Sequence, residues 1–314
     1  MKRITIITPS YIPHIGGVET VCLKEKEVLE NIGWDVNIIT SDQGLYPDWK
    51  SENDKVIRLR SFNFKNQIIV CPFALFNALK STHSLIYHIH TFTSPFSILS
   101  MIFLLLKRKK FILTPHYHPT RYHKYPLAVF LLEKISSLFA KKACLIFVLS
   151  SYEKKKISKI LNIREDKIIV MPWGSESPPK DFIPLSRSQR TFFLFVGRLV
   201  HNKGIELLIE AFKTLPQEFK LLIVGPDIEG YYEKIKTISN IKYLGCLEKN
   251  EIEQLYKKAI ATILPSKYEA FGIVIFESFR FGTPVIVSKN VMGKEVILQR
   301  ECGFVFSDVN ELIN

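Results

Sequence analysis

Cysteine and long hydrophobic segments are scarce in this chain, and their scarcity excludes several classes of protein. The five cysteines are dispersed and form no C-x-x-C pair, which argues against structural zinc or a disulfide framework and indicates reduced thiols in a cytoplasmic protein. The apolar run from Phe96 to Leu106 is too short to span a bilayer. The N-terminus has neither the apolar length nor the cleavage site of a signal peptide.

Low-complexity tracts and short repeats are also absent, and the hydrophobic content of 47% is that of an ordinary globular protein. A length of 314 residues suits two domains. Prolines and serines are concentrated between residues 171 and 189, which predicts a linker. We therefore expect one domain over residues 1–172, a linker over 173–189 and a second domain over 190–314.

Acidic residues are few between residues 100 and 170, where four Asp and Glu accompany 15 Lys and Arg. This region carries most of the net charge of +13 and predicts an anionic partner. Helix-turn-helix, RNA-binding and zinc-finger patterns are missing, so we expect an anionic membrane surface and no nucleic acid. The alternative for the apolar and basic segment 96–110 is a core helix with a solvated basic end.

The first forty residues predict the start of a parallel α/β sheet. Residues 3–8 and 34–40 have the pattern of strands, and a helix is expected between them from Val18 to Asn31. Gly16 and Gly17 stand at the start of this helix, where glycine permits a close approach of the backbone to a phosphate. A simple turn explains the glycine pair equally well.

Two histidine pairs, His88-x-His90 and His116-x-His118, fall at the ends of predicted strands. Because side chains alternate along a strand, the members of a pair share one face. Neither pair has a neighbouring acid in the sequence, so we expect no metal site. His90 and His116 lie where strands open into loops and are candidates for a ligand-binding cleft. For His88, hydrogen bonds to the backbone are an equally good explanation.

A second α/β series follows the linker and carries three loops, each after a predicted parallel strand: Gly197–Gly204, Gly225–Asp227 and Ser266–Gly272. Such loops meet at the carboxyl edge of an open sheet. Arg198 and Lys203 place two cations there, beside the start of a helix. Two cations and free helix N–H groups form a diphosphate site that needs no metal. The alternative is that both are solvated surface charges.

Glu269 and Glu277 flank the start of the helix that follows the last loop. On one continuous helix their spacing would correspond to roughly 12 Å, whereas the carboxylate pairs of glycoside hydrolases are about 5 to 9.5 Å apart. We therefore interpret both glutamates as groups that bind hydroxyls of one long ligand, and neither of them as a nucleophile.

These residues together resemble the retaining, nucleotide-sugar-dependent glycosyltransferases of the large GT4 family. The motifs that carry the resemblance are GGVE at 16–19, HIH at 88–90, TPHYH at 114–118, LSSYEKKKI at 149–157, GRLVHNKG at 197–204, PSKYEAFGIVIFES at 265–278 and GTPVI at 282–286. The resemblance implies an α/β fold of the GT-B type, with two Rossmann-like domains facing each other across a cleft. The first domain would bind the acceptor and the second the donor.

The resemblance also implies roles for single residues. Glu277 would hold the donor ribose, Glu269 the hydroxyls of the transferred sugar, and Arg198 and Lys203 the diphosphate. The implied donor-binding set is Gly16, Gly17, Arg198, Lys203, Glu269, Phe271, Gly272, Ile273 and Glu277. The implied catalytic set is His116, Arg198, Lys203 and Glu269, and the acceptor-side set is His90, His118 and Arg121.

A nucleoside-diphosphate sugar such as a UDP- or GDP-hexose is the substrate that the resemblance implies, with no cofactor and no metal. In the implied front-face mechanism the acceptor hydroxyl attacks from the side of the leaving group, and a phosphate oxygen of the donor takes its proton. The acceptor would be a lipid-linked saccharide or a polysaccharide, met by a peripheral protein at the cytoplasmic face of the membrane.

Two features depart from the family pattern. The segment WGSE at 173–176 replaces an Asn-Gly-Val-Asp-like turn, and the sequence stops soon after Leu312, so we expect no C-terminal helix that crosses back to the first domain. Two further hypotheses stay open. One is a sugar-nucleotide epimerase or phosphorylase on the same scaffold, and the other is a non-catalytic protein that binds nucleotide sugars or anionic membranes.

Overall fold

The computed structural model describes residues 2–14, 16–45, 55–64, 67–119, 125–172, 174, 176–270 and 272–314. The chain divides into two compact units, Met1–Pro172 and Trp173–Asn314. Each unit contains a parallel sheet accompanied by helices, which is the arrangement of a Rossmann-like domain. Two predicted site residues, Arg121 and Phe271, lie outside the described residues.

The first unit alternates strands and helices from its first residues. Its strands are β1 Arg3–Ile7, β2 Asp35–Ser41, β3 Val56–Leu59, β4 Ser61–Phe64, β5 Gln67–Val70, β6 Ile86–His90, β7 Phe111–Thr114, β8 Ile146–Val148 and β9 Ile168–Val170. Its helices are α1 Gly17–Asn31, α2 Pro72–Ser81, α3 Pro95–Leu106, α4 Pro126–Ala140 and α5 Ser151–Leu161. Seven strands form one parallel sheet in the order β3-β2-β1-β6-β7-β8-β9, and β4 pairs with β5 in an antiparallel hairpin.

The strand order of this sheet reverses between β1 and β6. The chain leaves β1 toward β2 on one side and returns to β6 on the other, so the loops after β1 and β6 diverge and open a crevice at the carboxyl edge. Gly16 and Gly17 follow β1, and His90 is the last residue of β6. The topology therefore brings these two parts of the sequence to the same edge of the sheet.

The second unit repeats the same plan. Its strands are β10 Phe192–Val196, β11 Leu221–Val224, β12 Ile241–Tyr243, β13 Ala259–Leu264, β14 Val285–Ser288 and β15 Gly303–Phe306. Its helices are α6 Ile205–Thr214, α7 Tyr232–Ile235, α8 Lys249–Lys258, α9 Ile273–Arg280, α10 Lys294–Arg300 and α11 Val309–Ile313. The parallel sheet has the order β12-β11-β10-β13-β14-β15 and reverses between β10 and β13.

Separate hydrophobic cores stabilise the two units. Each cluster of buried apolar side chains among the described residues belongs to one unit. Central strands are buried on both faces, as in a parallel sheet covered by helices: residues 4–7 of β1 and 261–264 of β13 are all buried. No helix in the described ranges has both the length and the hydrophobicity needed to cross a bilayer.

Several elements differ from what their sequence predicts. A helix is expected from Lys154, but α5 begins at Ser151, because Ser150 caps it by accepting a hydrogen bond from the backbone N–H of Glu153 at 3.1 Å. The helix expected over residues 231–238 is the single turn α7. The hairpin β4–β5 and helix α10 are not predicted, because both are too short to show a clear periodicity.

Candidate active site

The loops after β10 and β13 meet at the switch point of the second sheet. Lys203 ends the 3-10 turn His201–Lys203, and its Nζ donates a hydrogen bond to Glu269 Oε2. The side chains are 27% and 15% exposed, so solvent screens this ion pair less than it screens an exposed surface pair. A cation and a carboxylate from two distant parts of the sequence therefore lie side by side.

Gly204 permits this close approach. Its φ is +73°, and a Cβ at this position would lie 2.1 Å from the carbonyl oxygen of Pro265. The two loops therefore touch through their backbones. The loop after β13 makes a second backbone contact, in which the N–H of Met292 donates to the carbonyl of Glu269 at 2.9 Å. Both contacts fix Glu269 before any ligand binds.

The loop after β11 joins the same edge. A Cβ on Gly225 would lie 2.1 Å from the carbonyl oxygen of Gly197, so these two loops also pack backbone against backbone. Arg198 follows Gly197 and is exposed to solvent. The three loops Gly197–Gly204, Gly225–Asp227 and Ser266–Gly272 therefore lie at one edge of the sheet, and the exposed Arg198 belongs to the same loop as Lys203.

Helix α9 starts at this edge, immediately after Glu269's loop. Gly272 precedes Ile273 with a φ of +77°, the left-handed conformation that favours glycine. In the part of the chain that the structure describes, no side chain caps this helix. Its first N–H groups, including that of Ile273, and the positive end of its dipole are therefore available to an anion or a hydroxyl oxygen.

Glu277 lies in the second turn of α9 and has a different environment from Glu269. The hydroxyl of Tyr256 on α8 donates to Glu277 Oε2 at 2.8 Å. Burial raises the pKa of Glu277, and the hydrogen bond from Tyr256 partly offsets this effect. Sequence reasoning missed Tyr256, since no motif marks a buried tyrosine on an otherwise polar helix. The two glutamates therefore differ: one pairs with a cation and the other with a phenol.

In the first unit, Gly16 precedes α1 and Gly17 opens it. The backbone of Gly16 is extended, so its role is to leave space: a Cβ there would lie 2.3 Å from a carboxylate oxygen of Glu19. Glu19 is buried and accepts hydrogen bonds from Ser10 Oγ and from His14 Nδ1, the latter at 2.9 Å. Burial raises the pKa of Glu19, but these hydrogen bonds outweigh it and the net shift is downward.

A cluster of buried ionisable groups lies at the switch point of the first sheet. Glu25 Oε1 is 2.5 Å from His88 Nδ1, and Oε2 is 2.8 Å from His90 Nε2. His90 Nδ1 is 3.0 Å from His116 Nε2. The sequence shows no acid beside either histidine pair, but the fold brings Glu25 there from α1. The premise of the argument against a metal was therefore wrong, since the ligand atoms of Glu25, His88 and His90 lie within 4.8 Å of one another.

Glu25 supplies a negative charge to this cluster. Burial raises the pKa of Glu25, but the two adjacent histidines lower it far more, so the group is a carboxylate. Desolvation lowers the pKa of His90 and, together with the neighbouring histidines, lowers that of His116 further. His118, which is partly exposed, also contributes to the lowered pKa of His116. His90 is fully buried and reaches a ligand only through His116.

An acid on the apolar face of a helix was the signal that could have revealed Glu25. Val18, Cys22, Glu25 and Leu29 recur at helical spacing along α1. Cys22 is fully buried, so the face that carries Glu25 points into the protein. A carboxylate on such a face needs a buried partner, and the histidines of β6 supply it.

Comparison with known proteins gives two family matches that together cover most of the chain. The family described as Glycosyltransferase Family 4 matches residues 15–175, and the family described as Glycosyl transferases group 1 matches residues 176–311. An uncharacterized glycosyltransferase of Methanocaldococcus jannaschii is 28% identical over 95% of this chain and 83% of the relative. O-antigen chain mannosyltransferase B of Escherichia coli is 26% identical over 58% of this chain and 51% of that protein.

Solved structures with the same fold also resemble this chain. The Anabaena protein HepE, solved in complex with UDP, superimposes with a TM-score of 0.77 over 100% of this chain and 88% of HepE, at 18% identity. The match to Glycosyltransferase Family 4 covers slightly more than half of the chain, and the match to Glycosyl transferases group 1 covers most of the second unit. The chain therefore belongs to glycosyltransferase family 4, and its two Rossmann-like domains are those of a GT-B glycosyltransferase.

Proposed function

We propose that the protein is a retaining enzyme that transfers a hexosyl group from a nucleoside-diphosphate sugar to a hydroxyl of a lipid-linked saccharide or polysaccharide. The observation that carries the proposal is the Lys203–Glu269 pair at the switch point of the second sheet, beside the start of α9. HepE was solved with UDP, and a relative is an O-antigen mannosyltransferase. Both facts support a sugar nucleotide as donor and a glycan as acceptor.

In this proposal the donor lies along the carboxyl edge of the second sheet. Lys203 and Arg198 bind the diphosphate, because cations bind phosphate oxygens strongly in a site that is partly shielded from water. Glu269 and the first N–H groups of α9 hold hydroxyls of the sugar. Glu277 accepts hydrogen bonds from the ribose. At the start of α1, the backbone at Gly16 and Gly17 binds a phosphate oxygen.

The proposed reaction needs no enzyme nucleophile. The bond between the anomeric carbon and the donor phosphate oxygen breaks, and both electrons remain on the phosphate. The acceptor oxygen forms the new bond on the same face of the sugar, so the configuration is retained, and its proton passes to the departing phosphate. Lys203 and Arg198 stabilise the charge of the leaving nucleoside diphosphate, a role in which preorganised cations replace a metal ion.

An anionic membrane is the proposed location of the acceptor, but segment 96–110 does not supply its apolar surface. Helix α3 is a core helix with seven of its 12 residues buried. Helix α4 instead has a row of exposed apolar side chains. Their exposed fractions are 71% for Leu127, 43% for Phe130, 54% for Leu131, 47% for Ile135 and 58% for Leu138. Their spacing places them in one stripe along the helix.

Basic side chains border this apolar stripe. Lys134 lies within it, and the exposed Lys141 and Lys142 follow the end of α4. The exposed segment 107–110 precedes β7, which neighbours β8 in the parallel sheet, so both basic segments lie at the amino edge. An apolar helix face with lysines beside it suits a surface of anionic headgroups. We therefore assign the proposed membrane contact to α4.

Two substitutions test the proposed transfer. We expect Lys203→Ala and Glu269→Ala each to lower transfer by about 100-fold or more, because each removes a group that holds or stabilises the reacting donor. Lys213→Ala, at an exposed position of α6, is the matched control and should retain transfer. Circular dichroism checks that the fold is intact. Full transfer by both active-site variants would overturn the mechanism.

The donor is identified by a thermal-shift screen of nucleoside diphosphates and their sugars. A specific ligand at one hundred times its dissociation constant stabilises the folded protein by about 2.7 kcal/mol. Product analysis with the donor alone then separates a transferase from an epimerase, because only an epimerase converts the donor without an acceptor.

A further inference from the structure

A chain of hydrogen bonds connects helix α1 to His116 through a buried histidine. Glu25 Oε2 lies 2.8 Å from His90 Nε2, and His90 Nδ1 lies 3.0 Å from His116 Nε2. His88 completes the environment of Glu25, with its Nδ1 at 2.5 Å from Oε1 and its Nε2 at 2.8 Å from Thr114 Oγ1. Both carboxylate oxygens and all four nitrogens of His88 and His90 thus have partners.

The direction of each bond follows from the carboxylate. An ionised carboxyl group only accepts hydrogen bonds, so His90 carries its proton on Nε2. A neutral imidazole has one N–H, which leaves His90 Nδ1 as an acceptor. His116 therefore donates from Nε2, and its own Nδ1 carries no proton. The downward pKa shifts of both histidines support the neutral forms that this chain requires.

The backbone at His116 supports a fixed side-chain position. Its φ is +47°, a left-handed conformation that is unfavourable for a residue with a side chain. Such a conformation persists where surrounding contacts determine it, and the bond to His90 is such a contact. In the part of the chain that the structure describes, the His116 ring makes its hydrogen bond through Nε2. His116 as a whole residue is partly exposed.

We propose that Glu25 and His90 are positioning residues that fix the tautomer of His116, so that its unprotonated Nδ1 accepts a hydrogen bond from a hydroxyl of the bound sugar or acceptor. The proposal rests on the proposed function and on the catalytic set that the family resemblance implies, to which His116 belongs. In a histidine ring, the hydrogen bond made by one nitrogen determines whether the other nitrogen carries a proton.

A metal ion held by Glu25, His88 and His90 would reverse this assignment. His90 would bind the metal through Nε2 and donate from Nδ1, so His116 would carry its proton on Nδ1. Ligands around a tetrahedral zinc ion at bonds of 2.0–2.2 Å lie about 3.3 Å apart. The Glu25 oxygens lie 2.5 and 2.8 Å from the two nitrogens, which are hydrogen-bond distances. The geometry therefore favours the hydrogen-bonded chain.

The test reads the tautomer directly in the full chain labelled with ¹⁵N-histidine. A long-range ¹H–¹⁵N correlation spectrum distinguishes a protonated from an unprotonated ring nitrogen, and His116→Gln identifies the signals of His116. We expect the Nε2–H form of His116. In Glu25→Leu the acceptor is lost and His90 is free to exchange tautomers. The Nδ1–H form of His116 should therefore appear, and kcat should fall about tenfold or more.

Glu25→Gln is the conservative variant. Its carbonyl oxygen can accept from His90 while its amide donates to His88, whose other nitrogen can then donate to the Thr114 hydroxyl. We therefore expect it to restore the Nε2–H form of His116 and to raise kcat above that of Glu25→Leu. Glu27→Gln changes an exposed acid of the same helix and should leave both the spectrum and kcat unchanged.

The Nδ1–H form of His116 in the unmodified protein, or one equivalent of metal whose removal changes the tautomer, would overturn the proposal. Unchanged kcat in a folded Glu25→Leu protein with an inverted His116 tautomer would do the same. If that variant does not fold, the spectrum of the unmodified protein still decides. Failure of the proposed function is detected by a different measurement, in which Lys203→Ala retains transfer. The tautomer of His116 does not depend on that substitution, so the two failures can be distinguished.

Discussion

Individual residues of the candidate site differ in how visible they are in the sequence. Lys203 and Glu269 each follow a predicted strand in a loop with glycine, and that context places them at a sheet edge. Glu25 has no such context, because its partners His88 and His90 are 63 and 65 residues away. A side chain on a helix face is assigned a partner only when the helix docks. The sequence therefore pointed to the cation–carboxylate pair but not to the buried cluster.

Gly204 gives a prediction for stability at the same scale. Gly204→Ala should lower the free energy of unfolding by about 2 kcal/mol or more, because alanine is strained at φ +73° and its Cβ would collide with the Pro265 carbonyl. Gly230→Ala has nearly the same φ, +75°, but open space around the new Cβ, so it should cost about 1 kcal/mol. Urea denaturation measures both. Equal effects would contradict a backbone contact at Gly204.

At the scale of helices and strands, α3 and α4 show what composition leaves undecided. Both helices are apolar, and both precede basic residues in the sequence. Helix α3 has seven of its 12 residues buried, whereas α4 buries Val129, Glu133, Ser136 and Ala140 and leaves a row of apolar side chains exposed. Which of them meets solvent depends on where neighbouring helices pack, which the sequence pattern of a single helix does not contain.

The exposed stripe of α4 predicts binding to anionic vesicles. The triple variant Leu127→Gln, Leu131→Gln, Leu138→Gln should reduce co-sedimentation with vesicles that contain anionic lipid by about tenfold or more, since burying a leucine contributes about 1.5–3 kcal/mol. Leu298→Gln, at an exposed position of α10 (61% exposed), is the control and should bind normally. Raising the salt concentration should weaken binding of the unmodified protein. Unchanged binding by the triple variant would show that α4 is not the contact.

For the whole molecule, the division into two units is the dominant feature. Each unit has its own sheet and its own buried clusters among the described residues. A unit with a complete core is expected to fold as an independent domain. The Lys203–Glu269 pair, Arg198 and Glu277 all belong to Trp173–Asn314, so the proposed contacts to the nucleotide are concentrated in one unit.

The segment 173–314 alone should therefore fold and bind the nucleoside diphosphate selected by the thermal-shift screen. We expect a cooperative thermal transition and a dissociation constant within about tenfold of that of the full chain, since most of the binding groups are present. Lys203→Ala in the same segment should weaken binding. Calorimetry measures both quantities. A segment that folds but does not bind would move the nucleotide site away from these residues.

Local sequence patterns are sufficient to predict the alternation of strands and helices, the parallel sheets and the order of the loops that carry Arg198, Lys203 and Glu269. These features depend on local periodicity and on glycines whose backbone conformation or close contacts other residues do not tolerate. The motifs also identify the family, which the family matches over residues 15–175 and 176–311 confirm.

The contacts between helices and strands, in contrast, become visible in the folded protein. It assigned Glu25 to His88 and His90, Tyr256 to Glu277, and the exposed apolar face to α4 rather than α3. Such contacts depend on which faces of two helices or strands meet after the sheet has formed. That choice is made by packing over the whole unit, and periodicity within one segment carries no information about it.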